Sequence, residues 1–406
     1  MNRNIKRFIK HNKFLSSIAL VIRENRSKRL IKKHWNTPID SNRVLFFRQA
    51  GGYGDNPKAI AEKLHSLYPD IVMIWVYTQD CEIDSIPEYF VKVKFESHDF
   101  FKELAVCGAW VCSTILPNGT VKRPGQIYIQ TWHGDKFLKK IAKDSAADIS
   151  SYKWRKAANK FCEAYICDYF VTGCEWFVPI AASALDYEGA FLRCGMPRND
   201  CLVNIDIDAC NLVKKKLNID SHYKVLIYAP TFRDYEKDSG EVGSNIDLVY
   251  ILDTLEHKTG DKWLCLLRAH HGKEVTINNS TISDSRFKDV TSYPDMADLL
   301  MISDMLISDY SSCGADFAIT GRMVLLYQDD IDQYTTKGRT LYFSRDESPY
   351  FTASNMEEAL NIIERVTDED IHNNCKGILD FYHSFESGHA SEEVCNVIVE
   401  SLKNIK

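Results

Sequence analysis

The stretch "MLISDYSSCGADFAITGRMVLLYQ" (residues 305–328) decides the fold class. One apolar run ends at Ser308 and Asp309, a helical pattern follows, and a second apolar run begins at Met323. Neither run alternates strictly between apolar and polar residues, which is typical of strands buried on both faces of a parallel sheet. The stretch therefore predicts a β-α-β unit of an α/β protein.

Similar apolar runs alternate with helical patterns along the whole chain, and the series restarts at Lys224 after a polar segment over residues 204–222. This spacing predicts β-α units in two Rossmann-like domains, whose parallel sheets face a central cleft. We expect a basic arm over residues 1–35, a first domain over 36–205 and a second over 206–406. The predicted strands are "RVLFFRQ", "IVMIWVY", "AWVCST", "IYIQTW", "YFVTG" and "AFLRCG" in the first domain, and "KVLIYAP", "KWLCLLRA", "MLISDY" and "MVLLYQ" in the second.

Composition narrows the class of protein. A chain of 406 residues with 45% hydrophobic residues can bury the cores of two domains, and its net charge of −6 argues against a general nucleic-acid binder. The 13 cysteines form no C-x-x-C pair, so we expect neither a disulfide framework nor a zinc site. These features favour a reduced, cytoplasmic protein.

The basic arm carries most of the positive charge. Residues 1–35 contain eleven Lys and Arg residues against one acid, Glu24. Its apolar run, residues 18–22, is far shorter than the roughly 20 residues that cross a bilayer, and no signal-peptide cleavage site follows it. The pattern favours an amphipathic helix on an anionic membrane surface. The alternative is a solvated basic helix that packs on its own domain.

Ligands of open parallel sheets bind beyond the carboxyl ends of the strands. Asp309, Ser311 and Ser312 follow one strand there, and helix N-terminal N–H groups beside serine hydroxyls suit a phosphate or diphosphate. Asp316, one turn further on, is placed to face a ribose hydroxyl. Helix capping alone would account for one of the serines.

Two further strand ends carry groups that bind anions. "YAPTFRD" places Thr231 and Arg233 after one strand, and "LLRAHH" places Arg268 and His270 after the next. The second domain therefore reads as a binder of a nucleotide diphosphate. In the first domain, "QAGGYGDNPKAI" is not G-x-G-x-x-G, so no dinucleotide cofactor is expected. Its glycines either make a tight turn or belong to the site.

Five motifs in this order resemble the CDP-glycerol glycerophosphotransferase family of teichoic-acid primases and polymerases: "QTWHGDKFLKK", "GMPRND", "YAPTFRD", "LRAHH" and "SDYSSCGADFA". The similarity runs from about residue 43 to residue 361. It implies a GT-B fold and transfer of a polyol phosphate from a CDP-alcohol to a lipid-linked acceptor, with release of CMP. It also implies chemistry without a metal or cofactor, at the cytoplasmic face of the membrane.

The resemblance also assigns roles to single residues. His133 of "WHG" would be the general base, a task suited to imidazole, although a core position or a metal ligand is the alternative for a lone histidine. Asp200 would orient His133 or the acceptor, and Arg198 would bind a phosphate of the growing chain. The donor would bind to Thr231, Arg233, Arg268, His270, Asp309, Ser311, Ser312 and Asp316.

Two departures from the family pattern concern neighbours of these residues. Asp135 and Lys136 follow "WHG" where many members have Thr-Pro, which leaves the acceptor open, and His271 stands where many have proline. A GT-B glycosyltransferase that uses a nucleotide sugar, or a non-catalytic scaffold at the membrane, would share much of the pattern. The "SDYSS" and "WHG" motifs together favour transfer of a polyol phosphate.

Overall fold

The computed structural model describes residues 13–48, 51–79, 81, 83–145, 164–231, 233, 245–269, 284–337 and 339–405. Two parallel sheets form the centre of the molecule, with strand orders β3-β2-β1-β4-β5-β6-β7 and β10-β9-β8-β11-β12-β13. Their strands are β1 Asp40–Phe47, β2 Val72–Tyr77, β3 Val91–Lys94, β4 Cys107–Cys112, β5 Ile127–Gln130, β6 Tyr169–Thr172, β7 Ala190–Arg193, β8 Tyr223–Tyr228, β9 Lys262–Leu267, β10 Phe287–Asp289, β11 Met305–Ser308, β12 Met323–Tyr327 and β13 Phe351–Ala353.

Helices connect the strands and cover the sheets. Parallel neighbours cannot be joined by a tight turn, so crossover helices are required. The α-helices are Lys13–Lys32, Asp55–Leu67, His98–Val106, Phe177–Leu185, Asp200–Val203, Ile207–Lys216, Leu248–Thr259, Met296–Ile302, Cys313–Ala318, Ile331–Lys337, Met356–Arg365, Asp368–Phe381 and Ala390–Lys403.

Each sheet reverses its strand order once, between β1 and β4 in the first sheet and between β8 and β11 in the second. All pairings within both sheets are parallel. The residues of β4 are buried without exception, as expected for a strand covered on both faces. The prediction of an α/β protein with two parallel sheets is confirmed. Open sheets of this kind bind ligands at the point of reversal, so the loops after these four strands position the site.

The last helix changes the predicted division into domains. Ala390–Lys403 leaves the second domain and packs on the first, where Val394, Ile398 and Leu402 share a core with Phe46 of β1. The stretch before it pairs with the first domain as well, through a bridge between Cys174 and Ser384. Burial of this apolar face fixes the helix on the first sheet, so the predicted second domain, 206–406, extends too far.

The basic arm is helical over Lys13–Lys32, and residues 1–12 lie outside the described part of the chain. Its carboxyl-terminal half is docked on the first domain, because Ser27 and Ile31 are buried against the core below helix His98–Val106. Further up the helix, Val21 and Ile22 are 54% and 61% exposed. No helix among the described residues has the length and hydrophobicity to cross a membrane.

Candidate active site

A cavity of about 380 Å³ lies between the two sheets, at the carboxyl ends of their strands. The first domain contributes loops after β1 and β5, and the second contributes loops after β8, β9 and β11. Residues that line it include Arg48, Asp55, His133, Lys139, Arg198, Thr231, Arg268, Asp295, Ser311, Ser312 and Asp316.

His133 follows β5 and is exposed to this cavity. Its Nδ1 atom lies 3.2 Å from the carbonyl oxygen of Ser113, the residue directly after β4. A carbonyl can only accept a hydrogen bond, so Nδ1 carries the proton and Nε2 of the neutral ring has a free lone pair. The indole of Trp132 stacks on the imidazole with ring centres 4.8 Å apart, which limits rotation of the ring. A histidine held in this way can accept a proton through Nε2.

The surroundings of His133 lower its pKa below the ordinary value of 6.5. Desolvation by the protein around the ring is the largest cause, and the positive charges of Arg198 and Lys139 act in the same direction. The carboxylate of Asp55 opposes them. The imidazole is therefore neutral at pH 7, which is the form that a general base requires.

Arg198 forms hydrogen bonds that fix the backbone of the loop that carries His133. One guanidinium nitrogen, Nη1, donates to Asp55 at 2.9 Å and to the carbonyl oxygen of His133 at 2.9 Å, and Nη2 donates to Asp316 at 2.6 Å. These carboxylates raise the pKa of Arg198. Two carboxylates pair with Arg198, and its hydrogen bond to the carbonyl oxygen of His133 positions the backbone there. The role of Arg198 in binding polymer phosphate stays a prediction.

Asp316 bridges the two domains instead of facing a ribose. Its two carboxylate oxygens accept from Arg198 and, at 2.9 Å, from the side-chain amide of Asn199. The side chain is 5% exposed. The predicted ribose contact is therefore corrected to an ion pair between domains.

Asp200 does not orient His133. Its carboxylate accepts from the backbone N–H groups of Ala390 at 2.9 Å and Ser391 at 2.8 Å. Both groups belong to the first turn of the last helix, where no intrahelical acceptor exists. The predicted catalytic role is corrected to capping of this helix, which packs on the same first domain as Asp200.

Arg233 and Asp309 form a buried ion pair in the second domain. The Arg233 side chain is 2% exposed and pairs with Asp309 at 2.7 Å and with Asp330 at 2.6 Å. Its guanidinium also lies against the stacked rings of Tyr310 and Tyr334, 5.0 and 5.1 Å from their centres. The predicted contact between Arg233 and the diphosphate is therefore wrong, because carboxylates and aromatic rings enclose the charge. Asp309 likewise pairs inside the protein and is not available to the donor.

Five predicted donor-binding residues line the cavity: Asp316, which is paired with Arg198, and Thr231, Arg268, Ser311 and Ser312. The Thr231 hydroxyl is buried and has no hydrogen-bond partner in the part of the chain that the structure describes. Arg268 donates through Nη1 to the carbonyl oxygens of Val290 and Thr291, at 2.6 and 2.9 Å. Burial and the charge of Arg48 lower the pKa of Arg268 to about 10. His270 and His271 lie outside the described residues, so the predicted role of His270 stays a prediction.

Gly134 brings the loops of the two domains together. Its φ is +153°, and a Cβ atom at this position would lie 2.8 Å from the hydroxyl of Ser312. Any side chain here would separate the His133 loop from the serine loop. Glycine is therefore required in "WHG" by close approach as well as by conformation.

Asp135 and Lys136, the departure from the family pattern, do not line the cavity. They are 1% and 0% exposed. Lys136 donates to Glu386 at 2.6 Å and to Asp135 at 3.2 Å, and Asp135 accepts from the N–H of Gly173 at 2.6 Å. The pair therefore ties the His133 loop to the segment that leads into the last helix. It does not contact a ligand in the cavity.

Sequence reasoning missed Arg48, Asp55 and Asn56, which surround the glycine-rich loop after β1. Asn56 is fully buried, donates to the carbonyl oxygen of Trp132 at 3.2 Å and accepts from the N–H of Arg198 at 3.0 Å. The position of "RQAGGYGDN" at the end of the first strand was the available signal. Within the described ranges, no group of three His, Cys, Asp or Glu side chains could hold a metal ion.

The fold and the site together place the chain among α/β proteins with two parallel-sheet domains around a shared cavity. Residues 30–400 match the model of the CDP-Glycerol:Poly(glycerophosphate) glycerophosphotransferase family, so the chain belongs to that family. Among solved structures, the wall teichoic acid polymerase TagF matches with a TM-score of 0.79 and 26% identity, over 98% of both chains. A variant of TagF studied with CDPG matches with a TM-score of 0.78 and 26% identity, again over 98% of both chains.

Curated relatives include proteins of different length. The teichoic acid poly(glycerol phosphate) polymerase of Staphylococcus epidermidis is 29% identical over 99% of this chain and 57% of its own length. The polymerase of the same name from Bacillus subtilis is 29% identical over 90% of this chain and 49% of its own length. This chain thus spans about half of each polymerase. The teichoic acid glycerol-phosphate transferase of Staphylococcus aureus is 30% identical over 89% of this chain and 94% of its own length.

Proposed function

We propose that this chain transfers a polyol phosphate, such as glycerol phosphate or ribitol phosphate, from a CDP-alcohol to a lipid-linked teichoic acid or similar polymer, and releases CMP. Membership of the glycerophosphotransferase family supports the reaction class. The observation that carries the proposal is the geometry of His133. Its Nδ1 atom is engaged by the Ser113 carbonyl, so that Nε2 is left to act as a base in a cavity lined by both domains.

In the proposed reaction, the terminal hydroxyl of the acceptor gives its proton to Nε2 of His133 while its oxygen attacks the distal phosphorus of the donor. The bond between that phosphorus and the bridging oxygen breaks, and CMP leaves with the electron pair. The Nδ1–H group keeps its hydrogen bond to Ser113 throughout, which stabilises the imidazolium that forms. The proton then passes from His133 to solvent.

The second domain would stabilise the charge on the leaving phosphate. Arg268, Thr231, Ser311 and Ser312 line the cavity and present a guanidinium and three hydroxyls. Preorganised donors of this kind usually supply the largest share of catalysis in phosphoryl transfer. The proposal includes no metal and no cofactor, and we expect EDTA to leave the rate largely unchanged. A strict requirement for added Mg²⁺ or Mn²⁺ would contradict this part of it.

We further propose that the protein works as a peripheral protein at the cytoplasmic face of the cell membrane, where its lipid-linked acceptor is held. Val21 and Ile22 are exposed on the basic helix, and Arg23 and Arg26 lie within one turn of them. Each cation near an anionic surface contributes about 1 kcal/mol, and inserted apolar side chains add a part that salt does not screen.

Thermal unfolding with different nucleotides tests the donor class. A ligand that binds only the folded state raises the melting temperature, and at equal concentration the ligand with the lower Kd raises it more. We expect CDP and CMP to raise it more than UDP at equal concentration. Stabilisation by UDP and UDP-sugars, with none by CDP or CMP, would instead identify a glycosyltransferase that uses a nucleotide sugar.

A further inference from the structure

Arg48, at the end of β1, reaches from the first domain to the second. Its Nη2 atom donates to the carbonyl oxygen of Pro294 at 3.2 Å. The Nε atom of the same guanidinium is buried and has no hydrogen-bond partner among the described residues. A buried donor without a partner has lost its hydration without compensation, so the site is poised for an acceptor.

The charge of Arg48 is not neutralised within the described residues, and neither is that of Arg268. No carboxylate of a described residue forms an ion pair with either guanidinium, and the hydrogen bonds of Arg268 go to backbone carbonyls. The two cations are close enough to disfavour each other, since Arg48 contributes to the lowered pKa of Arg268. The negative charge of Asp295 attracts both arginines, but this carboxylate already forms an ion pair with Lys58 at 2.9 Å.

The remaining charges of the cavity do not supply the missing anion. Asp55 and Asp316 are paired with Arg198. Thr231 also lines the cavity, and its hydroxyl is buried and finds no hydrogen-bond partner within the described ranges. Arg48, Arg268 and Thr231 therefore line a polar cavity in which, among the described residues, two guanidinium charges have no paired carboxylate and one hydroxyl has no hydrogen-bond partner.

The glycine-rich loop makes room for this arrangement. A Cβ atom on Gly52 would lie 2.8 Å from Nη1 of Arg48, and one on Gly54 would lie 3.6 Å from its Cζ. The loop thus shapes the space in which the Arg48 side chain lies, in addition to making a turn. This explains Gly52, which the sequence left open between a turn and a functional role, whereas a Cβ on Gly54 would make only an ordinary contact with Arg48.

We propose that Arg48 and Arg268, one from each domain, bind a phosphoanion of the substrate together, with the Thr231 hydroxyl as a third donor. The proposal rests on the proposed function and extends it to a first-domain residue. Guanidinium groups suit phosphate oxygens because they offer several donors in one plane. The bound anion would remove the repulsion between the two arginines and hold the domains closed over it. Its source is either the diphosphate of the donor or a phosphate of the acceptor polymer.

Calorimetric titration of wild type and Arg48→Gln with five probes tests this pair: cytidine, CMP, CDP, inorganic pyrophosphate and glycerol 3-phosphate. Loss of a charge-assisted hydrogen bond should weaken anion binding about 10- to 100-fold. If the anion is the donor diphosphate, CDP and pyrophosphate weaken while cytidine does not. If it is an acceptor phosphate, glycerol 3-phosphate alone weakens. Equal affinity of both proteins for every anion would overturn the proposal.

The same titrations separate this proposal from the proposed function. Wild-type protein that binds pyrophosphate through Arg48 but binds no cytidine nucleotide would retain the arginine pair and refute the CDP-alcohol reaction. Strong CDP binding that is equal in wild type and Arg48→Gln would support the CDP-alcohol reaction and refute the arginine pair.

Two further variants and a control keep the proposal testable if Arg48→Gln does not fold. Gly52→Ala keeps the charge but displaces the guanidinium, and Arg48→Lys keeps the charge but loses the planar set of donors. Both should weaken anion binding by less than Arg48→Gln, and unchanged affinity in both would contradict the proposal. Arg193→Gln is the matched control, because Arg193 is an exposed arginine of the first domain that pairs only with Glu175 among the described residues. It should bind every probe as wild type does.

Discussion

His133 is able to act as a base because of two neighbours that fix which nitrogen carries its proton. Ser113 accepts from Nδ1 and Trp132 stacks on the ring. We expect His133→Ala to reduce turnover by about 10²-fold or more, the range of general-base catalysis, and to leave the affinity for CDP within a few-fold of wild type. Steady-state rates and calorimetric titration measure the two effects. Turnover close to wild type would remove His133 from the mechanism.

The pH dependence of the reaction follows from the lowered pKa of His133. The base must be neutral, and its pKa lies below 6.5 because of desolvation and nearby cations. The value of kcat/KM should therefore be level at neutral pH and fall only as the pH drops through this lowered pKa. A pH profile of wild type should show the acidic limb, and His133→Gln should lack it. An acidic limb centred above 6.5 would contradict the assignment.

Arg233 should matter for stability before it matters for binding. Replacement by Met would leave Asp309 and Asp330 without their buried counter-charge, a change that typically costs about 3–5 kcal/mol. Urea unfolding should show this as a large fall in the midpoint. Arg193→Met, which removes an exposed pair, should cost less than about 1 kcal/mol. Equal midpoints for the two variants would mean that the buried pairs contribute little.

The sequence predicted the positions of residues better than their partners. Thr231, Arg268 and the two serines were expected at the cavity because they follow parallel strands, and the structure places them there. Arg233 follows a strand as well, yet it turns inward to Asp330, which is 97 residues away in the chain. Such a pairing depends on tertiary contacts between distant segments, and no local pattern encodes it.

The basic helix is the element that we expect to dock on membranes. Truncation of residues 1–35 is a poor test, because Ile31 is fully buried in the first domain and its loss would open the core. Val21→Asp combined with Ile22→Asp keeps the fold and should weaken binding to anionic vesicles by roughly 10-fold or more. Vesicle flotation at low and high salt measures the change.

A matched double variant controls for added negative charge. Ile207 and Leu212 are 74% and 60% exposed on a helix of the second domain. Ile207→Asp with Leu212→Asp should bind vesicles nearly as wild type does, apart from the effect of charge. Equal loss in the two double variants would mean that net charge alone governs binding, and no loss in either would place the docking surface elsewhere.

All ten predicted strands are present, but β3, β10 and β13 were not predicted. They have four, three and three residues and lie at or beside the edges of the sheets. β3 reads "VKVK", in which lysines alternate with valines and Val93 alone is buried, so it lacks the continuous apolar run that revealed the buried strands. Short edge strands take their conformation from the neighbouring strand, so their amino-acid composition alone does not predict them.

At the scale of the whole molecule, the two domains are tied together by buried charges and by the returning last helix. Glu386 accepts from Lys136 at 2.6 Å and from the N–H of Met196 at 2.8 Å, directly before that helix. These contacts join the His133 loop to the carboxyl terminus of the chain. The charge pattern did not predict them, because a lysine after "WHGD" reads as exposed unless its distant carboxylate partner is known.

The most direct test of the central claim is to follow both products of the transfer in one reaction. The protein is incubated with CDP-glycerol and a lipid-linked glycerol phosphate acceptor, and CMP release and the mass of the acceptor are measured together. We predict one CMP released for each glycerol phosphate added to the acceptor, with both signals lost in His133→Ala. CMP release without a heavier acceptor, or a heavier acceptor formed from a UDP-sugar and not from any CDP-alcohol, would contradict the proposed function.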